Sequence, residues 1–247
     1  MPEFGRCTLA LDITADSTLR LRQVRVSYGE FRAVHGVDLD VAPGEIVSII
    51  GANGAGKSSL LKAIVGQADR VEGQLHFGEV DLSRCGTPQI VADGIALVPE
   101  GRRLFPTLTV EENLAIGQAV GRRGEIGFDQ VYGYFPILSE RRRQQVRELS
   151  GGQQQMVAVG RALLTNPRLL LCDEISLGLA PLVVQALYEI LPKVRDRGIG
   201  IVVVEQDISR SLAIADRFYC LLEGRVSLQG RPADHSRETV MTNYFGA

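Results

Sequence analysis

Gly51-Ala52-Asn53-Gly54-Ala55-Gly56-Lys57-Ser58-Ser59 follows the apolar run Ile46-Val47-Ser48-Ile49-Ile50 and precedes the helical pattern Leu60-Leu61-Lys62-Ala63-Ile64-Val65. A strand that ends in a Gly-rich turn and opens a helix aims several backbone N–H groups, and the positive end of the helix dipole, at one point. That point suits the phosphates of a nucleoside triphosphate. Lys57 can reach the β- and γ-phosphates, and the Ser58 hydroxyl can coordinate the Mg²⁺ that travels with them. Gly54 and Gly56 let the main chain approach closely, with φ values that a Cβ would oppose.

Outward from this loop, apolar runs alternate with helical patterns, as expected of a mainly parallel sheet covered by helices. Strands are expected at 46–50, 95–98, 169–172 and 201–204, each ending in a polar or Gly-rich segment. Parallel sheets bind ligands beyond the carboxyl ends of their strands, so these four ends should converge on one site. Residues 19–41 and 218–229 read as short antiparallel strands, the latter turning at Glu223-Gly224. From Pro106 to Leu149 the pattern is helical but interrupted by Gly117, Gly121, Gly124 and Gly127, which suggests a helical subdomain over about residues 100–160. Residues 1–18 read as a loose leader to a domain spanning 19–247.

Composition narrows the class. The 247 residues are 45% hydrophobic, enough for a real core. Apolar runs such as Ile199-Gly200-Ile201-Val202-Val203-Val204 stop far short of the ~20 residues that span a bilayer, and the first residues lack a secretion-signal layout. A cytoplasmic protein is expected. Cys7, Cys85, Cys172 and Cys220 lack metal-site spacing and read as reduced thiols. His35, His76 and His235 are scattered, which argues against a protein-held transition metal. A net charge of −2 argues against nucleic acid as a partner. The cluster Arg141-Arg142-Arg143 with Arg147 is the exception, and it reads as a solvated face.

A second constellation follows. Ser150-Gly151-Gly152-Gln153 opens another helix, with Ser150 as N-cap and two glycines exposing N–H groups to an anion. Downstream, Leu169-Leu170-Leu171-Cys172 delivers Asp173 and Glu174 at a strand tip. Asp173 can hold Mg²⁺ through its water shell, and Glu174 can polarise a water toward the γ-phosphate.

Phosphate loop, Ser-Gly-Gly cap and Asp-Glu strand, in that order, make the chain resemble the ATP-binding cassette ATPases of ABC transporters from about Leu19 onward. The resemblance implies an α/β P-loop NTPase cassette with a mainly parallel core sheet, a small antiparallel β region and a helical subdomain. It matches residues 51–59 to the Walker A motif, 149–153 to the signature motif and 169–174 to Walker B. Tyr28 then matches the aromatic that stacks on adenine. Glu100 stands where most cassettes carry the glutamine of the Q-loop, which senses Mg²⁺ and the membrane partner, and Gln206 stands at the switch histidine. Ile175 departs from the family, which usually has proline there; Ile frees φ and restores an N–H, leaving the geometry of residues 176–179 open.

Residues 97–106 (Leu97-Val98-Pro99-Glu100-Gly101-Arg102-Arg103-Leu104-Phe105-Pro106), Thr109 to Leu114, Ser176 to Pro181, Val204 to Asp207 and Asn243 to Gly246 resemble the smaller ATPase subunit of branched-chain amino-acid importers. That branch implies a subunit peripheral to the inner face of the plasma membrane. It would pair head to tail with a second, different cassette beneath two integral membrane permease subunits served by a substrate-binding protein. Ser150, Gly151 and Gly152 of one cassette would close over the γ-phosphate held by the other. Motor residues do not choose cargo, so urea, amides or an exported lipid stay open, as does a non-transport cassette ATPase.

Overall fold

The computed structural model describes residues 16–119 and 122–246. The expected leader lies outside the described residues up to residue 15, as do Gly121 and Cys7. The described residues open with β1 (Leu19–Tyr28) and β2 (Phe31–Val41), followed by β3 (Ile46–Ile50) and α1 (Lys57–Ile64). Next come β4 (Arg70–Phe77), β5 (Val80–Asp81), α2 (Thr87–Ala92) and β6 (Ile95–Val98). Four helices follow: α3 (Val110–Gln118), α4 (Phe128–Tyr134), α5 (Pro136–Glu140) and α6 (Gly151–Leu163). The chain then alternates β7 (Leu169–Asp173), α7 (Pro181–Arg195), β8 (Gly200–Glu205) and α8 (Ile208–Ile214). It closes with β9 (Arg217–Leu222), β10 (Arg225–Gly230) and α9 (Arg237–Phe245).

Two sheets result. The core sheet runs β10-β9-β3-β8-β7-β6, parallel throughout except for the β10–β9 pair. The other runs β2-β1-β4-β5 and is antiparallel. The antiparallel strands β1 and β2 are longer than expected, at 10 and 11 residues. The unforeseen β4 and β5 complete their sheet.

The apolar runs of the core sheet are buried on both faces, as parallel strands covered by helices must be. Period-two alternation divides their side chains. Val47, Ile49, Leu171, Val202 and Val204 point into a core shared with α1 and the antiparallel sheet. Ile46, Leu170, Cys172, Ile201 and Val203 point into the core under α6 and α7. Ser48 is the polar interruption in β3, and its buried hydroxyl is satisfied by that of Ser211 on α8.

Gly117 does not break its helix. It lies inside α3, where an added Cβ would fall 2.0 Å from the Arg161 carbonyl oxygen of α6. Its bare Cα is what lets the two helices meet backbone to backbone.

Candidate active site

Each of the four expected strands ends at one cleft of about 540 Å³. β3 delivers the phosphate loop, β6 delivers Glu100, β7 delivers Glu174 and β8 delivers Gln206. Asn53, Gly54, Gly56, Lys57, Ser58 and Ser59 line this cleft. Gly51 and Ala55 are buried beneath it. Gly56 caps α1 with φ +97, and a Cβ there would collide with the Ala33 carbonyl 2.6 Å away. Only glycine meets both demands.

Lys57 is 4% exposed, and a buried ammonium needs acceptors. Its Nζ donates to the carbonyls of Gly51 at 2.8 Å and Ala52 at 3.1 Å, and lies 3.7 Å from Glu174 Oε1. The lysine therefore sits between its own loop and the carboxylate at the tip of β7.

Ser58 Oγ donates to Asp173 Oδ1 at 2.9 Å, which joins the two oxygens expected to hold Mg²⁺. Burial raises the Asp173 pKa, the Ser58 hydrogen bond opposes this, and the neighbouring carboxylates Glu174 and Glu100 raise it further. An oxygen pair short of positive charge suits a hard cation that brings its own waters and phosphate ligands. Among the described residues no group of three or more His, Cys, Asp or Glu side chains forms a metal cage.

Glu174 adopts φ +49, in the left-handed region that favours glycine. Its N–H donates to the Val204 carbonyl at 2.9 Å, and Gln206 Nε2 donates to its Oε2 at 2.6 Å. The carboxylate is thus aimed into the cleft from two sides.

Tyr28 is placed differently from the resemblance. Its ring packs against the apolar core, its hydroxyl is buried without a hydrogen-bond partner, and it does not line the cleft. The aromatic that does is Phe31, 68% exposed at the start of β2. Sequence reading passed over Phe31, although the Gly29-Glu30 turn before it was a signal that the chain reverses there.

Ser150, Gly151 and Gly152 lie apart from the cleft. Ser150 caps α6, accepting from the Gln153 N–H at 3.3 Å while the Gln153 side chain accepts from the Ser150 N–H at 3.1 Å. The amides at the start of α6 thus form a second anion-directed terminus.

Three comparisons match this geometry. The sequence profile of the family described as ABC transporter matches residues 34–176. The high-affinity branched-chain amino acid transport ATP-binding protein BraG of Pseudomonas aeruginosa is 44% identical over 84% of this chain and 90% of its own. A probable branched-chain amino acid transport ATP-binding protein, LivF of Archaeoglobus fulgidus, is 33% identical over 86% of this chain and 91% of its own. Among solved structures, a dimeric post-hydrolysis ATP-binding cassette bound to ADP and inorganic phosphate superposes with a TM-score of 0.76. It is 26% identical, over 87% of this chain and 98% of that one. A cleft built from four strand ends around a phosphate loop, and a family profile spanning more than half the chain, lead to one conclusion: the protein belongs to the ABC transporter family, as an ATP-hydrolysing cassette.

Proposed function

We propose that this chain is a motor subunit of an importer of branched-chain amino acids. Binding of ATP in the β3–β7–β8 cleft would drive closure against a second cassette, and hydrolysis would let the pair open again. The observation that carries the reading is the convergence of Lys57, Glu174 and Gln206 in one cleft, joined by the 3.7 Å and 2.6 Å contacts. The cargo rests on the names of BraG and LivF.

In this mechanism the phosphate-loop amides and Lys57 bind the triphosphate and offset charge on the γ-phosphoryl group as its bond to the β-phosphate oxygen breaks. Glu174 accepts a hydrogen bond from the attacking water and orients it. Gln206 holds Glu174 in that position. Ser58 and Asp173 would hold Mg²⁺, which would supply additional positive charge at the phosphates. Phe31 offers an open π face for the adenine, a role its exposure supports better than the core-packed Tyr28.

One cassette grips the nucleotide from one side only. Ser150, Gly151 and Gly152 do not line the cleft of their own chain, and a second cassette arranged head to tail would bring them over the γ-phosphate. The dimeric solved relative supports such a pairing. A second cavity of about 610 Å³ shares Ser58 and Glu100 with the nucleotide cleft and continues along Leu61, Val65, Leu97 and Arg103. Membrane permease subunits seated there would sense the nucleotide through Glu100. Among the described residues no helix is long and apolar enough to cross a membrane. The likeness to transport ATP-binding proteins supports a subunit seated peripherally on the cytoplasmic face of those partners.

Uptake of leucine, isoleucine and valine in cells lacking the chain tests the reading. We expect all three to fall together. Unchanged uptake of the three, with loss of urea or another solute, would assign the motor to a different cargo.

A further inference from the structure

We propose that Glu205 is a positioning residue for hydrolysis, clamping the loop after Glu174 so that the catalytic carboxylate keeps its left-handed backbone. The inference rests on the role given to Glu174 above.

Glu205 ends β8 and is 2% exposed. Both of its oxygens are engaged by one residue: the Ser176 N–H donates to Oε1 at 3.2 Å and the Ser176 hydroxyl donates to Oε2 at 2.8 Å. No cation stands within ion-pair distance of it among the described residues. A buried carboxylate without a cation is costly, and only its hydrogen bonds offset that cost. Burial accordingly pushes its pKa up, and the neighbouring Glu174 adds to this, while Ser176 and the adjacent Tyr188 hydroxyl pull it down.

The clamp sits where backbone control is needed. Glu174 at φ +49 occupies a conformation that persists in a non-glycine residue only where the surroundings over-determine it. The following residue, Ile175, has no ring to fix its φ. Instead, three successive residues at the tip of β8 grip the turn: Val204 accepts from the Glu174 N–H, Glu205 accepts from Ser176, and Gln206 donates to the Glu174 side chain. The same turn carries Leu177, 53% exposed and lining the nucleotide cleft. Loosening Ser176 would let Glu174 leave its aim without touching the phosphate loop that binds ATP.

The experiment compares E205Q, S176A and the double variant in steady-state ATP hydrolysis, with nucleotide binding measured separately and E174Q alongside. We expect each single variant to lose about 10-fold in kcat with an almost unchanged KM for ATP, since small misplacements of a catalytic group are costly. The double variant should be no slower than the worse single one, because both remove the same contact. S176T, which keeps the hydroxyl, should restore most of the rate. Unchanged kcat in both single variants, multiplicative losses in the double, or a raised KM at normal kcat would each overturn the proposal. If E205Q does not accumulate, S176A and S176T decide alone: a slow S176A rescued by threonine supports the clamp, and a normal S176A overturns it. A fully active E174Q would remove the role of Glu174 and the clamp with it, whereas an inactive E174Q beside a normal S176A overturns the clamp only.

Discussion

Lys57 and Glu174 lie 3.7 Å apart, and the mechanism proposed above gives them different work that substitution should separate. Lys57→Ala removes the cation proposed to meet the phosphates and should abolish productive ATP binding. Glu174→Gln keeps the cleft's shape and should retain binding while losing hydrolysis by about 10²–10⁴-fold, the usual contribution of a positioned base. Nucleotide binding and phosphate release on both variants check this, and hydrolysis by Glu174→Gln at the unmodified rate would refute the assignment. Gln206 has no titratable ring and can only donate and accept hydrogen bonds. Gln206→Ala should therefore slow turnover without removing any step near pH ~6.5, the ordinary histidine range; a pH–rate limb lost in the variant would contradict this. At this scale the sequence was legible wherever spacing dictates chemistry, as in the phosphate loop and the Asp173-Glu174 pair. Phe31 and Glu205 were not recognisable as site residues. Phe31 reaches the cleft through a hairpin turn, and Glu205, buried at the neighbouring strand's tip, touches the loop after Glu174 rather than the cleft, so neither announces itself by spacing.

Among the elements, the contact of α3 with α6 is the most sensitive to a single atom. Gly117→Ala would drive a methyl against the Arg161 carbonyl, where an added Cβ would lie 2.0 Å away. Backbones must part, and overpacking of this kind typically costs about 1–3 kcal/mol. Thermal unfolding should show a Tm lower by about 2–4 °C per kcal/mol in a chain of this size, and an unchanged Tm would mean that the helices can separate freely. The four core strands were readable because residues buried on both faces form continuous apolar runs. Strand β4, with Arg70, Glu72, Gly73, Gln74 and His76 among its apolar residues, carries no such signal, and it forms because β1 supplies its ladder. Gly117 misled for a related reason: a glycine inside a helix reads as a breaker unless the neighbouring helix is known to need the space.

Across the molecule, every strand of the core sheet was foreseen as a local run, but their order was not, since periodicity carries no information on which strand lies beside which. That order sets the phosphate-loop strand β3 between β8 and β9, with Ile46 opposite Ile201 and Val47 opposite Arg217. During synthesis, therefore, the strand that carries the nucleotide loop leaves the ribosome long before either of its neighbours exists. At roughly 5–20 residues per second, it waits on the order of ten seconds or more for them. A polypeptide ended after Arg195 should fail to retain ATP, and one continued through Gly230 should hold it, as filter binding on the two truncated chains would show. Retention by the shorter one would mean that the loop forms without its flanking strands. On that expectation the newborn chain carries its most recognisable sequence early and acquires the use of it almost last, an order that would keep an unfinished motor from consuming ATP.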